Sequence, residues 1–230
     1  MACHGLEASA TAHLFFDFAM GVAEGELFGH VNCDAAVAGL SGDGQLTWHI
    51  SPTMQYLQGR LKVGVISPIV SGGLEGGFFI GNNVPKALAW VLDPTDSHFG
   101  MSRSILPATL TGVYGYGQAS IGFNAYVLGG GVDIWAGAGA FSAPIAAGGP
   151  LAPFAGNPML PFVVGACGIY VHGEILGGLV SASAWANLSL RGPLPTYFEG
   201  TFGLRGCVLW VLCASVSVTA GVNESGFYLS

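Results

Sequence analysis

Residues 6–22 read LEASATAHLFFDFAMGV, and apolar and polar side chains alternate along them. The even positions from Leu6 onward are apolar, whereas the odd positions include Glu7, His13 and Asp17. Successive side chains of a β-strand point to opposite faces of the sheet, so this alternation indicates a strand with one apolar and one polar face. The phase then shifts, which predicts a turn at Ala23-Glu24-Gly25.

The same period of two recurs along the rest of the chain. A Ser41-Gly42-Asp43-Gly44 cluster is expected to break it, and a turn is expected near Ser67-Pro68. Two further hairpins are predicted at residues 113–141, with a Gly129-Gly130-Gly131 tip, and at residues 163–190, about Gly177-Gly178. The pattern indicates long antiparallel amphipathic β-hairpins with about 12 strands in a single domain over residues 1–230.

A fourth hairpin is expected at residues 198–222, and its phase leaves one question open. The stretch from Cys207 to Cys213 is either an apolar hairpin tip or the middle of one long strand. In a hairpin the two cysteines could form a disulfide, whereas a continuous strand would hold them about 20 Å apart at about 3.3 Å per residue.

Two stretches fall outside the alternation. Residues 82–110 carry Asn, Asp-Pro and Pro signals and are expected to form a long loop around one short strand, Ala87–Leu92. Residues 143–161, rich in Pro, Gly and Ala, are predicted to form a second long loop.

Tyr56-Leu57-Gln58-Gly59 and Tyr197-Phe198-Glu199-Gly200 each open a predicted hairpin with the same order of residue types. This loose likeness favours duplication of a hairpin unit, although shared strand composition alone could also produce it.

The composition is unusual for a soluble domain. Charged residues make up 8% of the chain against about 25% in soluble domains, 51% of residues are hydrophobic, and 38 are glycine. So few charges indicate that the chain faces lipid, packs against copies of itself, or belongs to a larger protein. The net charge of −7, without clusters of Lys or Arg, argues against a nucleic-acid partner.

These observations favour an all-β fold that is a closed, membrane-type β-barrel. No stretch reaches the roughly 18 consecutive apolar residues of a transmembrane helix, and closure removes the sheet edges that would otherwise pair with other chains. The alternative is a self-assembling subunit of a filament, tube or shell, in which neighbouring subunits replace the solvent.

The polar face supplies the candidate lumen residues of such a barrel. An aqueous lumen lined mainly by acids should prefer cations, whereas on the solvent side of an ordinary sheet the same acids would only aid solubility. The candidates are Glu7, His13, Asp17, Glu24, Glu26, His30, Asp34, Arg60, Lys62, Glu75, Asp133, His172, Glu174, Glu199 and Arg205.

No catalytic, metal or cofactor motif is found. His172 and Glu174 share a strand face, as do His30 and Asp34, but a metal site needs three or four ligands. The chain has no Gly-x-Ser-x-Gly elbow, and its glycine runs lack the residues of a nucleotide loop. The sequence therefore predicts a non-enzymatic protein without a cofactor or metal.

The expected function is that of a membrane β-barrel or pore-like domain, as a homo-oligomer or as part of a larger envelope protein. Its expected partners are a lipid bilayer or copies of itself, and its expected location is the cell envelope, the outer membrane or the extracellular space. The alternative remains a structural subunit of an extracellular assembly.

Overall fold

The computed structural model describes residues 5–35, 38–92, 106, 108–143, 160–192 and 196–230. Twelve strands account for most of them, together with two short 3₁₀ helices, Lys86–Leu88 and Trp90–Leu92. The strands are β1 (Gly5–Asp17), β2 (Val22–Ala35), β3 (Ala38–Ile50), β4 (Gln55–Ile66), β5 (Val70–Pro85), β6 (Thr109–Ala125), β7 (Leu128–Ala143), β8 (Leu160–Ile175), β9 (Val180–Gly192), β10 (Tyr197–Val208), β11 (Leu212–Asn223) and β12 (Gly226–Leu229).

The strands form one antiparallel sheet in which each strand pairs with its neighbours in the sequence, from β1 to β12. The prediction of an all-β chain with about 12 antiparallel strands is confirmed. The sheet is not closed into a barrel: within the described residues β1 does not pair with β12. The last strand is short and pairs with Ala220–Asn223 of β11, and Ser230 just beyond it exchanges backbone hydrogen bonds with Thr219, which leaves the rest of β11 as an edge.

The pairing register gives the sheet two chemically different faces. One row across β1 to β5 reads Ser9, His30, Asp43, Lys62 and Glu75, and we call the face that carries it the polar face. The next row, on the other side of the sheet, reads Ala10, Gly29, Gly44, Leu61 and Gly76, and we call that side the apolar face. The strands keep their phase through this register except near the end of β5, where the pairing with β6 shifts between Gly81 and Val84.

The first turn lies earlier than predicted, at residues 18–21 instead of Ala23-Glu24-Gly25. The side chain of Asp17 accepts hydrogen bonds from the backbone N–H groups of Ala19 (3.0 Å) and Met20 (3.1 Å) and so starts the turn. Gly21 completes it with a φ of 64°, a conformation that glycine adopts without steric cost.

Two glycine-containing clusters that were predicted to interrupt strands lie inside them. Ser41 to Gly44 fall within β3, and Gly129 to Gly131 within β7, where Tyr126 and Val127 form the turn instead. The reason is the phase: Ser41 and Asp43 lie on the polar face and the two glycines between and after them on the apolar face. Small residues therefore continue the alternation rather than end it.

The turns at Ser67-Pro68 and Gly177-Gly178 lie where the sequence places them. Residues Cys207 to Cys213 form a hairpin tip, because Cys207 pairs with Cys213 across β10 and β11. A disulfide joins these two cysteines, whose Cα atoms are 4.1 Å apart.

The predicted short strand at Ala87–Leu92 is wrong, because these residues form the two 3₁₀ helices. The predicted loop at residues 82–110 is also too long at both ends, since β5 runs to Pro85 and β6 begins at Thr109. Residues 93–105, like residues 144–159 of the second predicted loop, lie outside the described residues.

A hydrophobic core lies on the polar face of β5 to β8, near the end of the sheet where β5 ends and β6 begins. Its largest side chains are aromatic, and Ala89, two residues of the second 3₁₀ helix and the start of β6 complete it. The core consists of Phe79, Val84, Ala89, Val91, Leu92, Leu106, Leu110, Tyr114, Tyr116, Trp135, Phe141, Phe162 and Val164.

Candidate functional site

All charged side chains of the twelve described strands lie on the polar face. This group includes every residue that the sequence predicted for that face, from Glu7 on β1 to Arg205 on β10. The register also adds Asp43, His49 and Arg191, which the sequence analysis did not single out. Acidic residues outnumber basic ones on this face, as they do in the whole chain (13 against 6).

Histidines and carboxylates form cross-strand pairs between β2 and β3. The Nδ1 of His30 lies 2.6 Å from the Oδ1 of Asp43, and the Nδ1 of His49 lies 3.1 Å from the Oε2 of Glu24. Their carboxylates accept hydrogen bonds from the imidazoles, and opposite polar partners of this kind stabilise an antiparallel pair. Both pairs are partly exposed, so solvent screens their electrostatic contribution.

Glu75 is a buried carboxylate at the centre of the sheet. It is 5% exposed, and it accepts hydrogen bonds from the Tyr116 hydroxyl (2.6 Å) and from the Gln118 side-chain amide (3.2 Å). Lys62 lies directly opposite it on β4. A buried carboxylate is tolerable only when it is hydrogen-bonded, and these partners meet that requirement.

The segment Lys86–Leu92, which we call the folded-in segment, lies on the polar face and does not extend away from the sheet. The buried amide of Gln58 donates to the carbonyl oxygen of Leu88 (2.8 Å) and accepts from the N–H of Val91 (3.5 Å). The Trp90 indole donates to the Thr47 hydroxyl (3.2 Å). The Gln58 side chain of β4 thus satisfies the hydrogen bonding of two backbone groups of the segment.

Two further contacts hold the folded-in segment on the sheet. The Arg60 guanidinium lies 5.2 Å from the centre of the Trp90 ring, a cation–π distance. Gly77 of β5 leaves the space that the Tyr116 ring and Val91 occupy, because a Cβ there would collide with both side chains.

Two cavities open on the polar face beside this segment. One of about 520 Å³ lies between the start of β4, the β2–β3 wall and the folded-in segment, and is lined by Glu24, Glu26, Gln45, Tyr56 and Trp90 among others. The other, of about 410 Å³, lies next to it and is lined by Ser9, His30, Asp43, Arg60 and Lys62 among others. Both have the size of small-molecule sites, and each is lined by polar and apolar side chains together.

The remaining predicted residues lie apart from this cluster. Asp133, His172, Glu174, Glu199 and Arg205 lie on β7 to β10, still on the polar face. His172 and Arg205 both lie opposite Ser183 of β9, on its two neighbouring strands, so they are two strands apart. In the part of the chain that the structure describes, no three His, Cys, Asp or Glu side chains come close enough to hold a metal ion.

The apolar face is uncharged in every described strand and largely exposed. Every strand has at least one exposed leucine, isoleucine, valine or phenylalanine on this face. Leu61, Leu74 and Ile121 are each at least 60% exposed. In its middle Gly29 lies opposite Gly44 and Gly76 opposite Gly117, and two shallow cavities of about 640 and 540 Å³ open there. Soluble monomers rarely expose apolar area on this scale.

Cys167 also lies on the apolar face and is a free, exposed thiol, whereas Cys33, Cys207 and Cys213 are disulfide-bonded. No helix within the described residues has both the length and the apolar character needed to cross a membrane.

Sequence reasoning missed the residues that organise the folded-in segment. Gln58 was noted only within Tyr56-Leu57-Gln58-Gly59 and Thr47 was not singled out, since alternation does not show which polar residue is buried under a loop. Asp43 was not assigned to a strand face because a break was expected at Ser41 to Gly44.

Comparison of the sequence with protein-family models and with curated proteins found no match.

Proposed function

We propose that this chain is a non-enzymatic, pore-like β-barrel domain of a membrane, belonging to a larger envelope protein or to an oligomer. The observation that carries the proposal is the separation of charge: the described strands place all their charged side chains on one face and leave the other uncharged and exposed. A soluble sheet with one core face exposes its polar face and buries its apolar one. Here the exposed apolar face is the one that needs a partner, and lipid is a partner of matching chemistry.

The height of the apolar face supports this proposal. On β10 apolar or small residues occupy that face from Phe198 to Val208. At about 3.3 Å per residue these ten steps span about 33 Å along the strand, which a tilt of about 40° reduces to about 25 Å. The apolar band of membrane barrels has about the same height.

The two ends of the sheet also differ in the manner of membrane barrels. At one end the described turns are short: 67–69, 126–127, 176–179 and 209–211. We call this the short-turn end. The opposite end holds the long connections between β5 and β6 and between β7 and β8, beside short turns at 18–21, 51–54 and 224–225, and we call it the long-loop end. Short turns at one end and longer loops at the other are typical of barrels that cross a membrane.

In a bilayer the two sheet edges would have to be satisfied. Unpaired N–H and C=O groups cost several kcal/mol each in hydrocarbon. We therefore propose that β1 and the β11–β12 edge pair on insertion, either with each other or with strands of a neighbouring chain. The polar face then surrounds an aqueous lumen, which the folded-in segment narrows at the long-loop end.

Planar-bilayer recording in a KCl gradient tests the proposal. We expect discrete conductance steps with a reversal potential on the cation side, because acids outnumber bases on the polar face. Anion preference would contradict the assignment of the lumen, and the absence of conductance from vesicle-inserted protein would contradict the pore.

The open edges favour a second candidate, a self-assembling structural subunit. Edge strands offer unpaired backbone groups to another chain, and β1 is long and carries few charges. Negative-stain microscopy of detergent-free protein separates the two candidates. Ordered polymers support the assembly, whereas a discrete particle that stays in solution only with detergent supports the barrel.

A further inference from the structure

The short-turn end carries apolar side chains where turns ordinarily carry polar ones. Tyr126 is fully exposed, Trp210 is 65% exposed and Val211 is 79% exposed. Ile69 and Leu176 in the neighbouring turns are also exposed. None of the four described turns at this end contains a charged residue. Nothing in the described chain covers these side chains.

The backbone of these turns makes the choice of residues more unusual. Five described non-glycine residues have positive φ angles, and four of them lie at this end: Tyr126 (52°), Leu176 (57°), Leu209 (56°) and Trp210 (59°). Hairpin turns with two such residues in sequence favour Asn-Gly, because bulky side chains are disfavoured in the left-handed region. Leu209 and Trp210 are therefore two large apolar residues at turn positions where the backbone conformation disfavours them.

The tip at Leu209-Trp210 is held from two sides. The Cys207–Cys213 disulfide closes the hairpin next to the turn. The N–H of Leu209 donates to the carbonyl oxygen of Leu179 in the adjacent turn (2.7 Å), and the Trp210 indole lies over Gly178, where a Cβ would be 2.9 Å from Nε1. The apolar tip is thus a fixed feature of the sheet end.

The long-loop end differs in charge. Lys86 begins the folded-in segment, Glu224 lies in the last turn, and Asp17, the last residue of β1, caps the first turn. Exposed apolar residues occur there too, notably Phe18 and Met20, but beside charges. At the short-turn end the charges nearest the turns, Asp34 and Glu174, lie on the polar face of strands and not in the turns. Carrying a charged side chain into the centre of a bilayer is costly, whereas uncharged apolar turns enter it readily.

We propose that the short-turn end is the end of the sheet that enters a phospholipid bilayer first and comes to rest at its far boundary. This inference rests on the proposed membrane function. The partner is lipid because the apolar tips continue the apolar strand face without a break, and because Trp and Tyr are the residues that favour the boundary between hydrocarbon and headgroups. The charged long-loop end remains on the side from which the chain inserts.

Insertion kinetics of matched charge variants test this direction. The full chain is unfolded in urea and diluted into preformed dilauroylphosphatidylcholine vesicles, and insertion is followed as protection from protease. Val211→Asp and Met20→Asp each place one carboxylate on an exposed turn, at the short-turn and the long-loop end respectively. We expect Val211→Asp to insert at least about tenfold more slowly and Met20→Asp to insert at a rate within about twofold of the parent.

A second variant separates insertion from turn stability. Leu209→Asn combined with Trp210→Gly gives the tip a favoured turn sequence, so the chain should be at least as stable in detergent micelles as the parent while inserting more slowly. Equal slowing by Val211→Asp and Met20→Asp, or no slowing by either, would overturn the direction. Unchanged rates for both variants are the result expected if the tips dock on protein instead of lipid. If the parent chain itself does not insert, the membrane function fails together with this inference.

Discussion

Gln58 is the side chain on which the position of the folded-in segment most depends. Replacing it with leucine removes both hydrogen bonds to the segment and leaves the Leu88 carbonyl and the Val91 N–H without their amide partner. We expect Gln58→Leu to lower the free energy of unfolding by about 1–3 kcal/mol. Urea titration in detergent micelles measures the loss, and trypsin should cleave after Lys86 faster in this variant.

The matched control for Gln58 is Gln45→Leu. The Gln45 amide donates to Glu26 at 3.3 Å, not to the folded-in segment. Cleavage after Lys86 should therefore stay at the parent rate. If the two variants are cleaved equally fast, Gln58 does not fix the segment.

At the residue scale the sequence predicted which face a side chain occupies but not which side chains meet. Glu7, Lys62 and Arg205 lie on the polar face as their phase indicates. The pairing of His30 with Asp43 depends on the register between β2 and β3, which depends on where the intervening turn falls. A single strand carries no information on its partner's register, so the cross-strand pairs were beyond sequence reasoning.

At the scale of the strands, the two faces should respond differently to the same new charge. Ile134 lies on the apolar face of β7, and Ser120 lies on the polar face of β6 opposite Asp133. Because Ile134 is about half exposed, a lysine there costs little in water but about 2–4 kcal/mol in a bilayer. We expect Ile134→Lys to destabilise vesicle-folded protein by that amount, as measured by urea unfolding, and Ser120→Lys to leave it nearly unchanged. Equal stability of the two variants in vesicles would mean that the apolar face does not contact lipid.

Strands and turns were predictable to different degrees. Alternation identified nearly all the strands because it extends over ten or more residues in each. Turns were less certain because glycine serves two purposes here: Gly21 lies in a turn, whereas Gly130 lies inside β7 and leaves space beside Phe123. The 3₁₀ helices were missed because three-residue elements have no period to detect, and Lys86–Leu92 is ordered by its contacts with Gln58 and Thr47.

At the scale of the whole molecule, the ion selectivity of the proposed pore should depend on the acidic side chains that line its lumen. Glu24 and Glu26 line the larger polar cavity beside the folded-in segment. We expect Glu24→Gln combined with Glu26→Gln to lower the cation-to-anion permeability ratio, because two negative charges leave the lumen. Reversal potentials in planar bilayers measure this ratio. Glu224→Gln, in a turn outside the strands, is the control and should leave the ratio unchanged.

The predicted closure of the sheet into a barrel is not found in the described residues, and alternation alone could not settle it. Period-two patterning assigns faces strand by strand, whereas closure depends on the two edges, β1 and β11–β12, which lie at opposite ends of the described chain. The four-residue β12 pairs with only part of β11 and does not reach β1. What covers the apolar face is equally a property of the surroundings and not of any one strand.

The most direct test of lipid contact uses Cys167, the free thiol on the apolar face. Protein in vesicles is treated, without reductant, with a water-soluble maleimide, and the labelled site is located by peptide mapping. The matched variant, Cys167→Ser with Ser183→Cys, moves the thiol to the polar face of β9. We predict that Cys167 is protected until the vesicles are dissolved, whereas the thiol at position 183 reacts in intact vesicles. Labelling of Cys167 in intact vesicles as fast as the thiol at position 183 would contradict the account.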